Sequence, residues 1–275
     1  MSALVCRAVR GRIQALETET GMQLCDRGTR GVTLTAVGKM VVERAKRIMF
    51  ETRCLTRDLT LMREHVIGNV QFGLGPFPAA TLLADTLRKL HAEWPQLQVA
   101  AEVNSPPVLL AALQAESLDF VVVERRTVPQ NEDLSVHRLR PEAAGFFVRP
   151  SNPLRHSSRI TPAQLREATL ISVPFPIRGA GPLRKLLGCR SDERLPLQLE
   201  SNDFHALTLL ACQSDAVLLG PVRALTAAVE AGALARLEIA GSADDIAMDF
   251  DIVHLAHRTL SPAAQRTIAT INALA

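Results

Sequence analysis

Aromatic residues are scarce in this chain: there is no tyrosine, a single tryptophan at Trp94, and 4% aromatic content over 275 residues. Leu, Val and Ala must therefore supply most of the packing, in a chain long enough to bury more than one ordinary core. Five cysteines (Cys6, Cys25, Cys54, Cys189, Cys212) form no CxxC pair, are odd in number and have no histidines at zinc-like spacing. They read as reduced thiols of a cytoplasmic protein, without a disulfide frame or a metal site. The N-terminus lacks the apolar core of a signal peptide, and no stretch approaches the ~18 apolar residues a bilayer span requires. GxSxG, HExxH and P-loop patterns are missing, and Gly179-Ala180-Gly181 lacks the spacing of a dinucleotide fingerprint. The histidines are scattered; His254 and His257 lie three apart, but one falls in an expected strand. The reading is not an enzyme, with no cofactor and no metal.

The charge that is present is unevenly placed. Residues 1–66 hold 12 Lys/Arg against 7 Asp/Glu, whereas residues 67–275 hold 19 against 21. A basic excess confined to the first quarter favours an anionic partner for that part alone. The same quarter carries Arg27-Gly28-Thr29-Arg30-Gly31-Val32-Thr33-Leu34-Thr35, in which two glycines bracket a turn and β-favouring residues follow. Residues 4–20 read as a helix with Val5, Val9, Ile13 and Leu16 on one face, stopping at Gly21. A long helix is predicted from Ala36 to His65, roughly 45 Å at 1.5 Å per residue. Along it Val41, Ala45, Ile48, Thr52, Leu55, Leu59 and Met62 recur in alternating steps of four and three. So narrow an apolar stripe calls for a partner helix. Arg44, Arg47, Arg53, Arg57 and Arg63 keep the other faces polar.

Beyond a hinge at Ile67-Gly68-Asn69 the rhythm changes to strands alternating with helices, the signature of a parallel sheet with crossover helices. Strands are expected at 70–74, 97–103 and 118–123, with helices at 79–93 and 108–115. A second series holds strands near 145–148, 169–173, 197–200 and 216–219, the last broken by Gly220-Pro221. Its helices open at Thr161-Pro162, where Thr161 caps and Pro162 takes the first helical position, then at Phe204 and about Arg223. A strand at 250–255 and a helix at 262–274 close the chain. Two such units joined by crossing segments form a cleft.

In this order the parts resemble the LysR-type transcriptional regulators. The residues that carry the resemblance are Arg12-Ile13-Gln14-Ala15-Leu16-Glu17, Gly21, Leu24, Arg27, Arg30-Gly31-Val32, Leu34-Thr35 and Gly38. They look like the end of the recognition helix, the next helix and the wing of that family's winged helix-turn-helix. The repeat on 41–62 is similar to its linker helix, and the two α/β units to its effector domain. The fold class implied is α/β: a partial winged helix-turn-helix (1–38), a long dimerising linker helix (39–66) and an effector-binding domain (67–275). That last domain resembles type 2 periplasmic binding proteins, with lobe I at about 67–143 and 249–275 and lobe II at about 144–248. The chain departs from the family at its start, where Val5 and Cys6 stand in place of the usual Ser and Gln and a preceding helix is not seen. Val9, Ile13 and Leu24 are then expected to be partly uncovered.

Under this reading Arg7, Arg10 and Arg12 contact bases or phosphates from the recognition helix, and Arg27 and Arg30 suit phosphates or a narrow minor groove. Thr33 and Thr35 either donate to phosphate or serve as strand and cap residues. Val41, Ala45, Ile48, Leu55, Leu59 and Met62 form the dimer seam of a homodimer or homotetramer. The effector, a small molecule, is expected where loops leave parallel strands and helix N-termini offer unpaired N–H groups. Those loops supply Pro76, Phe77, Asn104, Ser105, Asn202 and Asp203, with Phe175, Arg178 and Pro221 on the opposite wall. In the family a Ser or Thr commonly follows the first strand and holds an anionic effector. Here the loop offers no hydroxyl before Thr81, which favours a more apolar or aromatic ligand, while Arg178 suits a carboxylate. The function implied is an effector-modulated regulator of transcription on double-stranded DNA. The alternative is a dimerising solute-binding module that no longer reads DNA.

Overall fold

The computed structural model describes residues 3–28, 31–64, 68–157, 159–175, 181–190, 193–240 and 246–275. The chain divides into two compact units, Met1–Leu59 and Thr60–Ala275. In the first, helix α1 (Ala3–Thr20) ends where Gly21 takes a φ of +66°, a left-handed conformation that stops a helix at little steric cost. Strands β1 (Cys25–Gly28) and β2 (Gly31–Leu34) pair antiparallel, with Cys25 opposite Leu34 and Arg27 opposite Val32. Glu17 fastens this hairpin to α1, its Oε1 accepting from the N–H groups of Leu24 and Cys25 at 2.8 and 3.0 Å.

Helix α2 (Ala36–Glu64) starts at the foot of the hairpin. Thr35 caps it: its hydroxyl accepts from the Gly38 N–H and donates to the Gln23 carbonyl. Gly38 sits so close that a Cβ there would lie 2.0 Å from the Leu24 carbonyl oxygen. That approach explains why Leu24, expected to be partly uncovered, is 5% exposed instead. Ile13 is half-buried, and the Val9 side chain lies outside the described residues.

The second unit holds two sheets. Strands β3 (Asn69–Leu74), β4 (Gln98–Val103) and β5 (Phe120–Glu124) are parallel, as the alternation of elements predicts. The five-stranded sheet runs β4-β3-β5-β13-β6, and its last two members were not foreseen as antiparallel. Strand β6 (Leu134–Arg138) escaped the sequence reading, and β13 (Phe250–Leu255) returns from the far end of the chain to pair antiparallel with both β5 and β6. Between β3 and β4 the chain is helical from Pro76 to Glu93. A first turn, α3 (Pro76–Pro78), runs into a π-helical turn at Ala79–Leu83 and then into α4 (Ala84–Glu93). The segment Gly75 to Pro78 is thus a helix start and not the loop expected, because proline is already set for helical φ at the first position. Helix α5 (Pro106–Gln114) likewise begins two residues earlier than predicted, on Pro106 and Pro107.

The other sheet contains β7 (Glu142–Val148), β8 (Leu170–Ser172), β9 (Leu197–Glu200), β10 (Val217–Pro221), β11 (Ala235–Arg236) and β12 (Ala247–Met248), in the order β11-β7-β10-β8-β9 with β12 also on β7. Gly220 and Pro221 do not break β10. They pair with Gly145 and Ala144 of β7, Pro221 lying at the strand end where its missing N–H matters least. Helices α6 (Pro162–Glu167), α7 (Gly181–Leu187), α8 (Phe204–Gln213) and α9 (Val222–Glu230) flank this sheet, and α10 (Pro262–Leu274) packs against α4 and β3 of the other. Thr161 caps α6 in a full capping box with Gln164.

One hydrophobic cluster spans both halves, from Phe72, Phe77 and Phe120 to Phe146, Phe147 and Phe204. Phe72 and Phe120 stack at 5.0 Å on adjacent strands. Most of the phenylalanines thus sit where large volume is needed, and aliphatic side chains fill the rest.

Candidate functional site

A cleft of about 610 Å³ opens where the two sheets of the second unit meet. One wall is built from Pro76, Ala79 and Ala80 of the α3–π segment, with Val103 at the end of β4. The other is the start of α8, from Asn202 and Asp203 through Phe204, His205 and Thr208, with Ala224 of α9. The volume lies within the ~300–1,000 Å³ typical of small-molecule sites, which are mostly apolar with a few placed polar groups.

The floor is aromatic. Phe77, 3% exposed, sits between Phe175 and Phe204 with ring centroids at 5.5 and 5.7 Å, so it joins the two halves instead of lining the opening. The π-helical turn fits this position. Pro78 has no N–H to donate, and the Thr81 hydroxyl turns back onto the Phe77 carbonyl at 3.0 Å and the Pro78 carbonyl at 3.2 Å. Such turns frequently mark functional sites.

Of the nine residues expected around the effector, Pro76, Asn202 and Asp203 line the cleft. Asn104 and Ser105 stand next to Val103, half-buried, with the Asn104 amide bonded to Glu102 at 3.1 Å and its Oδ1 accepting from the Ser105 N–H. Pro221 is buried at the end of β10, and Phe175 is half-buried on the Phe77 ring. Arg178 lies outside the described residues. Ala79, Ala80, Val103, Phe204, His205, Thr208 and Ala224 were missed. For α8 the signal was available: once Asp203 is the cap, the next turns place Phe204, His205 and Thr208 beside the strand ends.

Charge around the cleft is arranged on its borders. Asp203 accepts from the Ala206 N–H at 3.0 Å and so caps α8. Burial raises the carboxyl of Glu142, opposed by the Arg223 charge and a hydrogen bond from the Arg223 backbone N–H near the start of α9. The Arg223 guanidinium reaches Asp85 of α4 at 3.5 Å and the Leu274 carbonyl of α10, joining one half of the unit to the other. Where the chain crosses between halves, Arg125 pairs with Asp249 at 3.1 Å and with the buried Asp251 at 2.9 Å. Beside them the Glu124 carboxyl is raised to about 7 by burial first, with Asp249 adding to it and Arg126 opposing.

In the first unit the α1 backbone carries Arg7, Arg10 and Arg12; only the Arg12 side chain is described, and it is exposed. Arg27 lies in β1, Arg30 lies outside the described residues, and Thr33 is exposed on β2. Thr35, expected at a phosphate or a cap, takes the cap, which commits its single hydroxyl proton to Gln23. On α2, Val41 is half-buried while Ala45, Ile48 and Leu55 are exposed, Ile48 to 66% and Leu55 to 60%. The side chains of Leu59 and Met62 lie outside the described residues. Among the described residues no group of three His, Cys, Asp or Glu could hold a metal, and no helix is long and apolar enough to cross a membrane.

An α/β body of two sheets with a cleft between them, preceded by a helix, a two-stranded hairpin and a long amphipathic helix, is the arrangement of a class of two-lobed transcriptional regulators. The chain belongs to the LysR family: the family model for the LysR substrate binding domain matches residues 63–275. It is 32% identical to the SDS degradation transcriptional activation protein of a Pseudomonas species over 255 residues, 92% of this chain and 82% of that one. It is 27% identical to the HTH-type transcriptional regulator GalR of Pseudomonas putida, over 85% of this chain and 58% of that protein. Full-length CbnR in complex with its target DNA superposes with a TM-score of 0.65 at 19% identity, covering 98% of this chain and 90% of that chain. A full-length OxyR variant of Pseudomonas aeruginosa gives 0.63 at 17%, covering 98% and 84%. The fold is thus the two-lobed, periplasmic-binding-protein-like body of that family. Its members are regulators and not enzymes.

Proposed function

We propose that this chain is a DNA-binding regulator of the cytoplasm whose activity is set by a small molecule in the cleft between Pro76 and Asn202. Residues 1–38 act as the DNA-binding part, 39–66 as the dimerising linker and 67–275 as the effector domain. The observation that carries the proposal is the cleft itself, a ligand-sized opening at the ends of β4 and β9 with mostly apolar walls. Binding there favours one arrangement of the two halves over another, and differential affinity for two arrangements is what allows a ligand to shift a regulator. The relative named as the SDS degradation transcriptional activation protein suggests an effector with an alkyl body, which apolar walls accommodate.

A peroxide-sensing role, suggested by the likeness to OxyR, is disfavoured at Cys189. Burial and the nearby Glu193 raise the Cys189 thiol, which lowers the thiolate fraction that oxidation by peroxide requires.

A salt-titrated mobility shift on DNA from upstream of the chain's own gene tests the proposal. Specific binding with a log–log salt slope that falls in magnitude by about one unit for each phosphate contact removed, in Arg12→Ala for instance, is the expected result. A ligand-binding chain with no specific shift at low salt would leave it a solute-binding module instead.

A further inference from the structure

We infer that the cleft takes an uncharged, largely aliphatic molecule and rejects anions, because its walls are mostly apolar, Asp203 sets a carboxylate on one of them, and helix starts beside it have lost N–H donors to proline or to that carboxylate. This rests on the reading of the cleft as the effector site and adds the class of ligand. Helix starts at the ends of parallel strands ordinarily hold anions, through orphan N–H groups and the positive end of the helix dipole. From the sequence these starts were expected to offer N–H groups to a ligand, and several of those donors are missing or engaged.

In α3, Pro76 and Pro78 occupy two of the first three positions, and only Phe77 between them retains an N–H. In α5, Pro106 and Pro107 fill the first two positions, and the side chain of the capping Ser105 makes no cap bond. In α8, the Ala206 N–H is already taken by the Asp203 carboxylate at 3.0 Å. An anion entering here would replace its hydration with few donors and would meet Asp203 on the wall, a desolvation that goes largely uncompensated.

No lysine or arginine is among the described lining residues, and the guanidinium of Arg223 is engaged with Asp85 and the Leu274 carbonyl. The polar groups left for a ligand include the Asn202 amide and the His205 imidazole, both of which line the cleft. They match a hydroxyl or an amide head, while Ala79, Ala80, Val103 and Ala224 take the apolar body.

A head-group series on one chain length tests this with the full-length protein: octan-1-ol, octanoate and octylammonium, measured by calorimetric titration at pH 7.5. Octan-1-ol is expected to bind about tenfold or more tightly than either ion, the ions having to be desolvated without adequate partners. Ala80→Phe and, independently, Thr208→Phe narrow the cleft and should weaken octan-1-ol by a similar factor, with thermal melts confirming that each variant folds. Replacing Pro76 by Ala restores a donor on the wall and should raise octanoate affinity relative to octan-1-ol severalfold. Octanoate or octylammonium binding as tightly as octan-1-ol, and lost in the narrowed variants, would overturn the ligand class while the cleft stands. Binding that ignores both narrowing substitutions would overturn the cleft reading together with the class. Absence of octan-1-ol binding overturns the class as stated.

Discussion

Glu124 ends β5 half-buried, with Asp249 and Arg126 acting on its charge, and its carboxyl is raised from the ordinary 4.5 to about 7. Between those pH values the folded chain holds a proton that the unfolded chain has released. Stability therefore falls as pH rises through that window, and the loss is complete above about 7. Glu124→Gln should melt at a higher temperature than the parent at pH 8, match it near pH 4, and show a flatter profile between; equal melting temperatures at pH 8 would refute the assignment. Residue roles of this kind were unevenly visible in the sequence. The box of Thr161 and Gln164 was half legible, because capping is local chemistry between residues three apart. Phe77 was not legible. Its neighbours Phe175 and Phe204 are about a hundred residues away, and no local pattern distinguishes a ring that lines a cleft from one that plugs it.

At the scale of elements, α2 is the clearest case of a helix whose sequence asks for more than its own unit supplies. Ile48 and Leu55 are exposed to 66% and 60%, on a stripe that keeps the four-and-three spacing. Burying each such side chain against a second copy contributes about 1.5–3 kcal/mol. Ile48→Glu combined with Leu55→Glu should therefore convert the purified chain to a monomer in sedimentation equilibrium while leaving the melting of the second unit unchanged. Persistence of a dimer would place the seam elsewhere. Long periodic elements were read well, α8 and α10 to the residue, since each is opened by a cap and carries its own apolar face. Short ones were missed for the opposite reason. The two-residue strands β11 and β12 have no periodicity to detect, and α7 opens on Gly181-Pro182, which imitates a turn. Strand β6 could have been found: Leu134 and Val136 alternate with Ser135 and His137.

For the molecule as a whole, the question is what fixes the angle between the two halves of the second unit, because that angle decides how wide the cleft stands. Local reading of strands and helices could not supply the answer, since β13 joins the first sheet only after the chain has built the second. Among the described residues, two kinds of contact join the halves: the rings on Phe77, and Arg223 on Asp85 and Leu274. The first is at the floor, where removal would cost folding itself. Arg223 is about one-third exposed, so its loss is tolerable; a pair of that exposure is worth at most about 1 kcal/mol. Spread over an open–closed equilibrium, that energy changes the ratio of the two forms about fivefold. Arg223→Ala should thus keep the melting temperature within a few degrees, increase the radius of gyration of the ligand-free chain in solution scattering, and weaken octan-1-ol binding by up to about fivefold. The Asp85→Asn variant, which removes only the charge on the far side of the same contact, should reproduce the direction of both changes at smaller size. An Arg223→Ala chain that scatters and binds like the parent would show that the halves are set by the floor and the crossing strands alone.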